Sequence, residues 1–330
     1  MDSISDSPFT ANDRITAHRA ARKHRPGFAA TPRFGLRTLG ALERNARRVV
    51  ITSVALLLAA CSSLRLGYNN ADTLLVYGLD SYLELNDRQM RLAQERISAL
   101  LAWHRQTQLP QYAQLLQRAQ GTFNGAVSAE YLLALRAEID QLLLVLAERA
   151  APEIAALALT LTPEQIDHGE RRLTEQAAKA QRELAQVSVA QLQEQREERQ
   201  IQRAQWWFGA LTKSQLATLH SAAAEGTLVQ DSWREERGRR QQEFVALLRQ
   251  IQREQPPLEA AAQQLRDYLA QLIAPVDAAR AHRGRASETS LQASLIAGAS
   301  IKQRAMLLRR LRDYAEDIAA LSVQQHDSDG

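Results

Sequence analysis

From about residue 70 almost to the C-terminus, apolar side chains recur at three- and four-residue intervals. No stretch alternates apolar with polar residues as a half-buried strand would. The pattern predicts an all-α protein, a single elongated multi-helix bundle. The first helix, 71–85, is nearly all apolar, with its acids Asp72, Asp80 and Glu84 confined to one arc of about 120°. It is therefore expected to be mostly buried. Asn86 can cap a second helix reaching about 108, with Gln89 completing a capping box, and Pro110 suits the first turn of a third, to about 120. Ser128 opens a fourth, strongly apolar helix through 131–147, which Pro152 restarts or kinks.

Leu161-Thr162-Pro163-Glu164-Gln165 combines a capping box with proline at the first helical position. No proline follows before Trp207, which predicts one long helix near 163–207. Its apolar positions Ile166, Leu173, Ala180 and Val187 recur every seven residues, until Glu194 breaks the register. Leu211-Thr212-Lys213-Ser214-Gln215 repeats the start signal and opens a helix to about 225. Further helices are expected at 231–254, from Pro256-Pro257 to about 273, and at 301–321 behind Ser300 and Gln303, with 281–287 as the best internal loop and a fraying tail from 324.

Charge is unevenly placed. The 330 residues are formally +4, yet residues 1–60 hold ten basic against four acidic side chains, leaving 31 basic and 33 acidic ones beyond. The body is thus slightly acidic, and no nucleic-acid partner is expected. Arg44, Arg47 and Arg48 precede a twelve-residue apolar run, 49–60, too short to span a bilayer. The run ends in Leu58-Ala59-Ala60-Cys61, which resembles the lipobox of bacterial lipoproteins. That resemblance implies cleavage between Ala60 and Cys61 and a diacylglycerol on the sulfur of Cys61, the chain's single cysteine. It divides the chain into a dispensable extension, 1–43, a signal peptide, 44–60, and a mature lipid-anchored domain, 61–330. Ser62 in place of aspartate favours the inner leaflet of the outer membrane, facing the periplasm.

Few residues suggest chemistry. Met90, Ala93, Ile97, Leu101 and His104 share one helix face, so His104 points toward the core and needs a polar partner, for which Asp80 or Asp72 is available. Asp80 and Glu84 stand four apart, as surface carboxylates usually do. His168, His220 and His282 have no metal-ligand spacing with it, so no catalytic residue, metal or cofactor is assigned. Arg237 and Arg240 fall on the stripe Trp233, Phe244, Leu248, Ile251, and Glu194, Glu197 and Glu198 interrupt another. If they meet, they form a buried polar layer or an anion pocket; otherwise both are solvated faces. Trp206-Trp207-Phe208 is expected to make a core corner.

Cys61 through Leu75, with Tyr77, Asp80-Ser81-Tyr82, Asp87, Leu101-Ala102-Trp103-His104-Arg105 and Leu109-Pro110-Gln111-Tyr112, resembles an uncharacterised family of proteobacterial helical lipoproteins. Gly78 stands where that resemblance leads one to expect an aromatic residue. The two Leu-Thr-x-x-Gln elements are similar to repeated motifs of helical periplasmic stress chaperones. Together these imply an envelope lipoprotein, attached to the membrane through Cys61, that binds, scaffolds or assembles a protein partner. The alternatives are a holdase-like chaperone and a hydrolase built around His104.

Overall fold

The computed structural model describes residues 64–225, 227–273 and 278–324, with eleven α-helices and no strand among them. The all-α multi-helix bundle is therefore what the chain forms. Helix α1 is Ala71–Leu83, α2 Asp87–Trp103, α3 Leu109–Phe123, α4 Ala129–Ala158, α5 Pro163–Ala185 and α6 Val189–Phe208. Helix α7 is Lys213–Glu225, α8 Thr227–Glu254, α9 Leu258–Ile273, α10 Ala278–Ala297 and α11 Ile301–Val323. A short helical stretch over 64–69 precedes α1. Ala60, Cys61 and everything before them lie outside the described residues, as does the tail from 325.

The helices close around two apolar clusters. One gathers Phe123, Leu132, Phe208, Leu219, Leu295 and Leu307 from α3, α4, α6, α7, α10 and α11. The other gathers Ala155, Ile166, Leu248, Ile251, Ala262 and Leu265 from α4, α5, α8 and α9. Helix α4 runs through both: Leu132 near its start belongs to the first and Ala151, Ala155 and Ala158 near its end to the second. Small residues at that end let α9 approach closely, and Pro152 sits within the helix without ending it.

Capping boxes start five helices, at Asn86, Thr162, Ser188, Thr212 and Ser300. Four of them face each other in pairs. Gln89 Nε2 donates to Gln165 Oε1 at 2.9 Å and to the Thr160 carbonyl, while Gln165 Nε2 donates to the Glu84 carbonyl. Gln303 Nε2 likewise donates to Gln215 Oε1 at 2.9 Å and to the Ala210 carbonyl, and Gln215 Nε2 donates to the Leu295 carbonyl. Each glutamine thus caps its own helix with its oxygen and satisfies a carbonyl of a neighbouring loop or helix end with its nitrogen.

Four expectations need correction. The long helix near 163–207 is two helices, because Ser188 accepts from the Gln191 amide and Gln191 Oε1 from the Ser188 amide, which starts α6 afresh. No break separates α2 from α3: a π-helical turn, His104–Gln108, joins them, and its wide ring, Leu109 N–H to His104 carbonyl, leads directly into Pro110. Residues 281–287 are helical within α10; Arg285 pairs with Asp140 at 3.1 Å and donates to the Ile273 carbonyl, holding the segment against α4 and α9. Helix α1 contains no fully buried residue, and its Leu74, Leu75 and Tyr77 are 60%, 50% and 73% exposed. Among the described residues it packs chiefly on α2 and α5, and these three side chains are left exposed.

Candidate functional site

That uncovered surface is one wall of a groove of about 1050 Å³. Leu74, Leu75, Leu79 and Leu83 line it from α1, and Ile154 and Leu157 from α4. Ile166, Leu173 and Leu184 line it along α5. Phe244, Val245 and Leu248 form the facing wall on α8, with Tyr268 and Leu272 from α9. Two glycines shape it. A Cβ on Gly169 would lie 3.3 Å from the Tyr82 carbonyl oxygen, so this glycine lets α5 approach α1, whereas a Cβ on Gly78 would meet nothing within 4 Å.

The cations lining the groove lie at its Glu236–Arg240 end, while on α5 the lining Glu170 is paired with Arg249 at 2.6 Å. Arg240 Nε bonds Glu236 Oε1 at 2.8 Å, and Arg239 bonds both Glu236 and Glu243. Hydrogen bonds from Arg239 and Arg240 hold the Glu236 carboxyl below its ordinary range. Arg237 lines the same end, is exposed, and has no ion pair among the described residues. Tyr268 stacks on Phe244 at 5.3 Å and donates its hydroxyl to the Arg240 carbonyl; burial raises its phenol pKa.

The expected polar layer does not form. Arg240 is paired along its own helix, Arg237 faces solvent, and Glu197 pairs with His220. Glu194 and Glu198 are exposed, the latter accepting from Gln202. Glu194, Glu197 and Glu198 sit on α6, which shares the first apolar cluster, whereas α8 belongs to the second, so the two stripes never face each other. The side chain of Trp233 lies outside the described residues.

His104 is half-buried on the core side of its helix, but its partner is Tyr68, not Asp80. Tyr68 Oη lies 2.9 Å from His104 Nδ1, with the two rings stacked at 5.8 Å and the Tyr112 ring tilted toward the imidazole, also at 5.8 Å. Burial lowers the His104 pKa and raises those of Tyr68 and Tyr112, the former offset in part by Arg105. Asp80 instead accepts from the Leu85 amide where α1 ends. The π turn also swings Arg105 inward, 7% exposed, with its guanidinium over the Tyr68 ring and within 3.4 Å of Asn69 Oδ1, the Leu321 carbonyl and the Gln324 carbonyl. Arg65 bonds the buried Asp317 at 2.7 Å. Arg65, Tyr68 and Asn69 are thus clasped by α2, the π turn and α11.

Trp207 and Phe208 join the first cluster as a core corner, but Trp206 does not: it stays 40% exposed at the surface, with the Arg310 guanidinium 4.1 Å from its ring centroid. Among the described residues no three His, Cys, Asp or Glu side chains are placed to hold a metal ion, and no helix is long and apolar enough to cross a membrane.

Residues 81–277, more than half of the chain, match the Family of unknown function (DUF6279). The chain belongs to that family. The DUF6279 span carries the α4, α5, α8 and α9 walls of the groove, together with His104 and Arg105, but starts after Leu74, Leu79 and the clasped residues 65–69. No curated protein and no solved structure matches the chain.

Proposed function

We propose that this protein is a bacterial envelope lipoprotein, attached to the membrane through acyl groups on Cys61, that binds an apolar ligand in the groove between α1, α5 and α8. The observation that carries the reading is the uncovered apolar wall of α1: Leu74 and Leu75 line a groove of about 1050 Å³ and remain at least half exposed. An exposed apolar surface of this kind marks an interaction site. The clasp adds a geometric reason for attachment at Cys61. Arg65, held by Asp317, follows that cysteine by four residues, so at most about 14 Å of chain separates the anchor from the folded body. Such a body stands at the membrane surface rather than on a long tether.

Metabolic labelling with a clickable fatty acid tests the anchor, and a photoreactive residue at Leu75 tests the groove in intact envelopes. Labelling of the wild type and not of Cys61→Ser is expected, with a discrete crosslinked adduct from position 75. Equal labelling of both chains removes the anchor, and absence of any adduct removes the groove. The holdase-like reading is supported by the same open groove and differs in expecting many adducts rather than one. The hydrolase reading rests on His104, whose Nδ1 lies against the Tyr68 hydroxyl.

A further inference from the structure

The placement of cations along the groove specifies its ligand: the lining arginines Arg237 and Arg240 lie at one end, and the carboxylate at the other, Glu170, is neutralised by Arg249. Resting on the reading above, we propose that the groove binds an anionic single-chain amphiphile, a fatty acid, with its chain along the leucines and its carboxylate at Arg237. The walls are helices, whose backbone donors and acceptors are spent on their own hydrogen bonds. An extended polypeptide laid in the groove would lose water from its amides and gain few partners, whereas an acyl chain needs none.

From Leu248 to Arg237, α8 advances eleven residues, about 16 Å, close to the roughly 15 Å that acyl chains span in one leaflet. The head-group end carries Arg237, Arg239 and Arg240 against Glu236 and Glu243. Among the described residues, Glu236 is shared by two arginines and Glu243 is taken by Arg239, which leaves Arg237 without an ion pair. Guanidinium is well suited to a carboxylate, which it can bind through two parallel hydrogen bonds. The α1 wall begins ten residues after Cys61 along the chain.

The test titrates the full chain carrying Cys61→Ser, so that no covalent acyl group competes, with cis-parinaric acid, a polyene fatty acid that brightens in apolar surroundings. Unlabelled oleate and oleyl alcohol then compete. A saturable one-to-one rise displaced by oleate is expected. Gly78→Trp, which fills open space on the groove wall, should weaken binding at least tenfold without lowering the melting temperature. Should that variant misfold, Leu75→Glu, at a half-exposed position, serves in its place. Arg237→Gln should weaken oleate roughly fivefold and leave oleyl alcohol unchanged. Three results overturn the inference: no saturable signal, equal effects of Arg237→Gln on acid and alcohol, or a dimer by sedimentation that Leu75→Glu dissociates. If parinarate fails while the Leu75 adduct in envelopes persists, the fatty-acid assignment falls and the groove-binding reading stands.

Discussion

Replacing Gln303 by leucine should cost about 2 to 4 kcal/mol, although the residue belongs to the same four-residue motif as Gln191, where the same change should cost about 0.5 to 1. The difference comes from what surrounds each amide. Gln303 is 5% exposed; its oxygen accepts from the Ser300 amide at 2.9 Å, and its nitrogen donates to the Ala210 carbonyl at 2.8 Å and to Gln215 at 2.9 Å. Leucine would take one partner from the buried Gln215 amide and strand the Ser300 N–H and the Ala210 carbonyl in a part-buried seam, each group that water cannot reach costing about 1 to 3 kcal/mol, while the apolar contacts of leucine offset part of the loss. Gln191 and Ser188 are exposed, so water replaces the lost bond. Gln303→Glu sharpens the comparison, since it keeps the acceptor and removes both donors, setting a carboxylate against the Ala210 and Gln215 oxygens. Urea melts of the three variants, with unchanged m-values, give the comparison directly. Losses for Gln303→Leu and Gln191→Leu that agree within about 0.5 kcal/mol would refute the argument that the paired boxes act as one buried unit.

Three further outcomes are expected. Burial holds the His104 pKa below its ordinary value, so as pH falls through about 6.5 the unfolded chain takes up a proton that the native chain does not, and stability drops until the lower native pKa is reached. His104→Gln should flatten that part of the curve relative to wild type, measured by urea midpoints at pH 7.5 and 5.5. Gly78→Ala should stabilise by about 0.5 to 1 kcal/mol in thermal melts, because the added methyl meets open space in the middle of α1; a loss would show that α1 relies on bending there. Arg237→Leu should change stability by no more than about 0.5 kcal/mol and Arg240→Leu by less than about 1, the latter losing one intrahelical pair; chemical melts showing more than about 2 for either would place these arginines in the interior.

The helix starts at Asn86, Ser128, Thr162, Thr212 and Ser300 are legible in the sequence because a cap is a bond between residues two or three apart. Ser188 and Gln191 carry the same signal, which the surrounding helix-forming residues obscure. Burial of α1 is misread for a different reason: apolar composition says that a face avoids water, and only the tertiary arrangement says whether another helix covers it. His104 is legible as inward-facing from its spacing, whereas its partner Tyr68 comes from a short stretch before the first strong helical period. The inward turn of Arg105 depends on one wide helical turn that no residue pattern announces.

A helix resists bending, and the thirty residues of α4 extend about 45 Å from one apolar cluster into the other. It acts as a strut with each end set in a different foundation. Loosening either foundation frees an end of α4 and removes the surface against which the other cluster packs. Two spatially separate interiors are thereby made to melt as one cooperative unit, and amides midway along α4 should exchange with solvent only when the whole bundle opens.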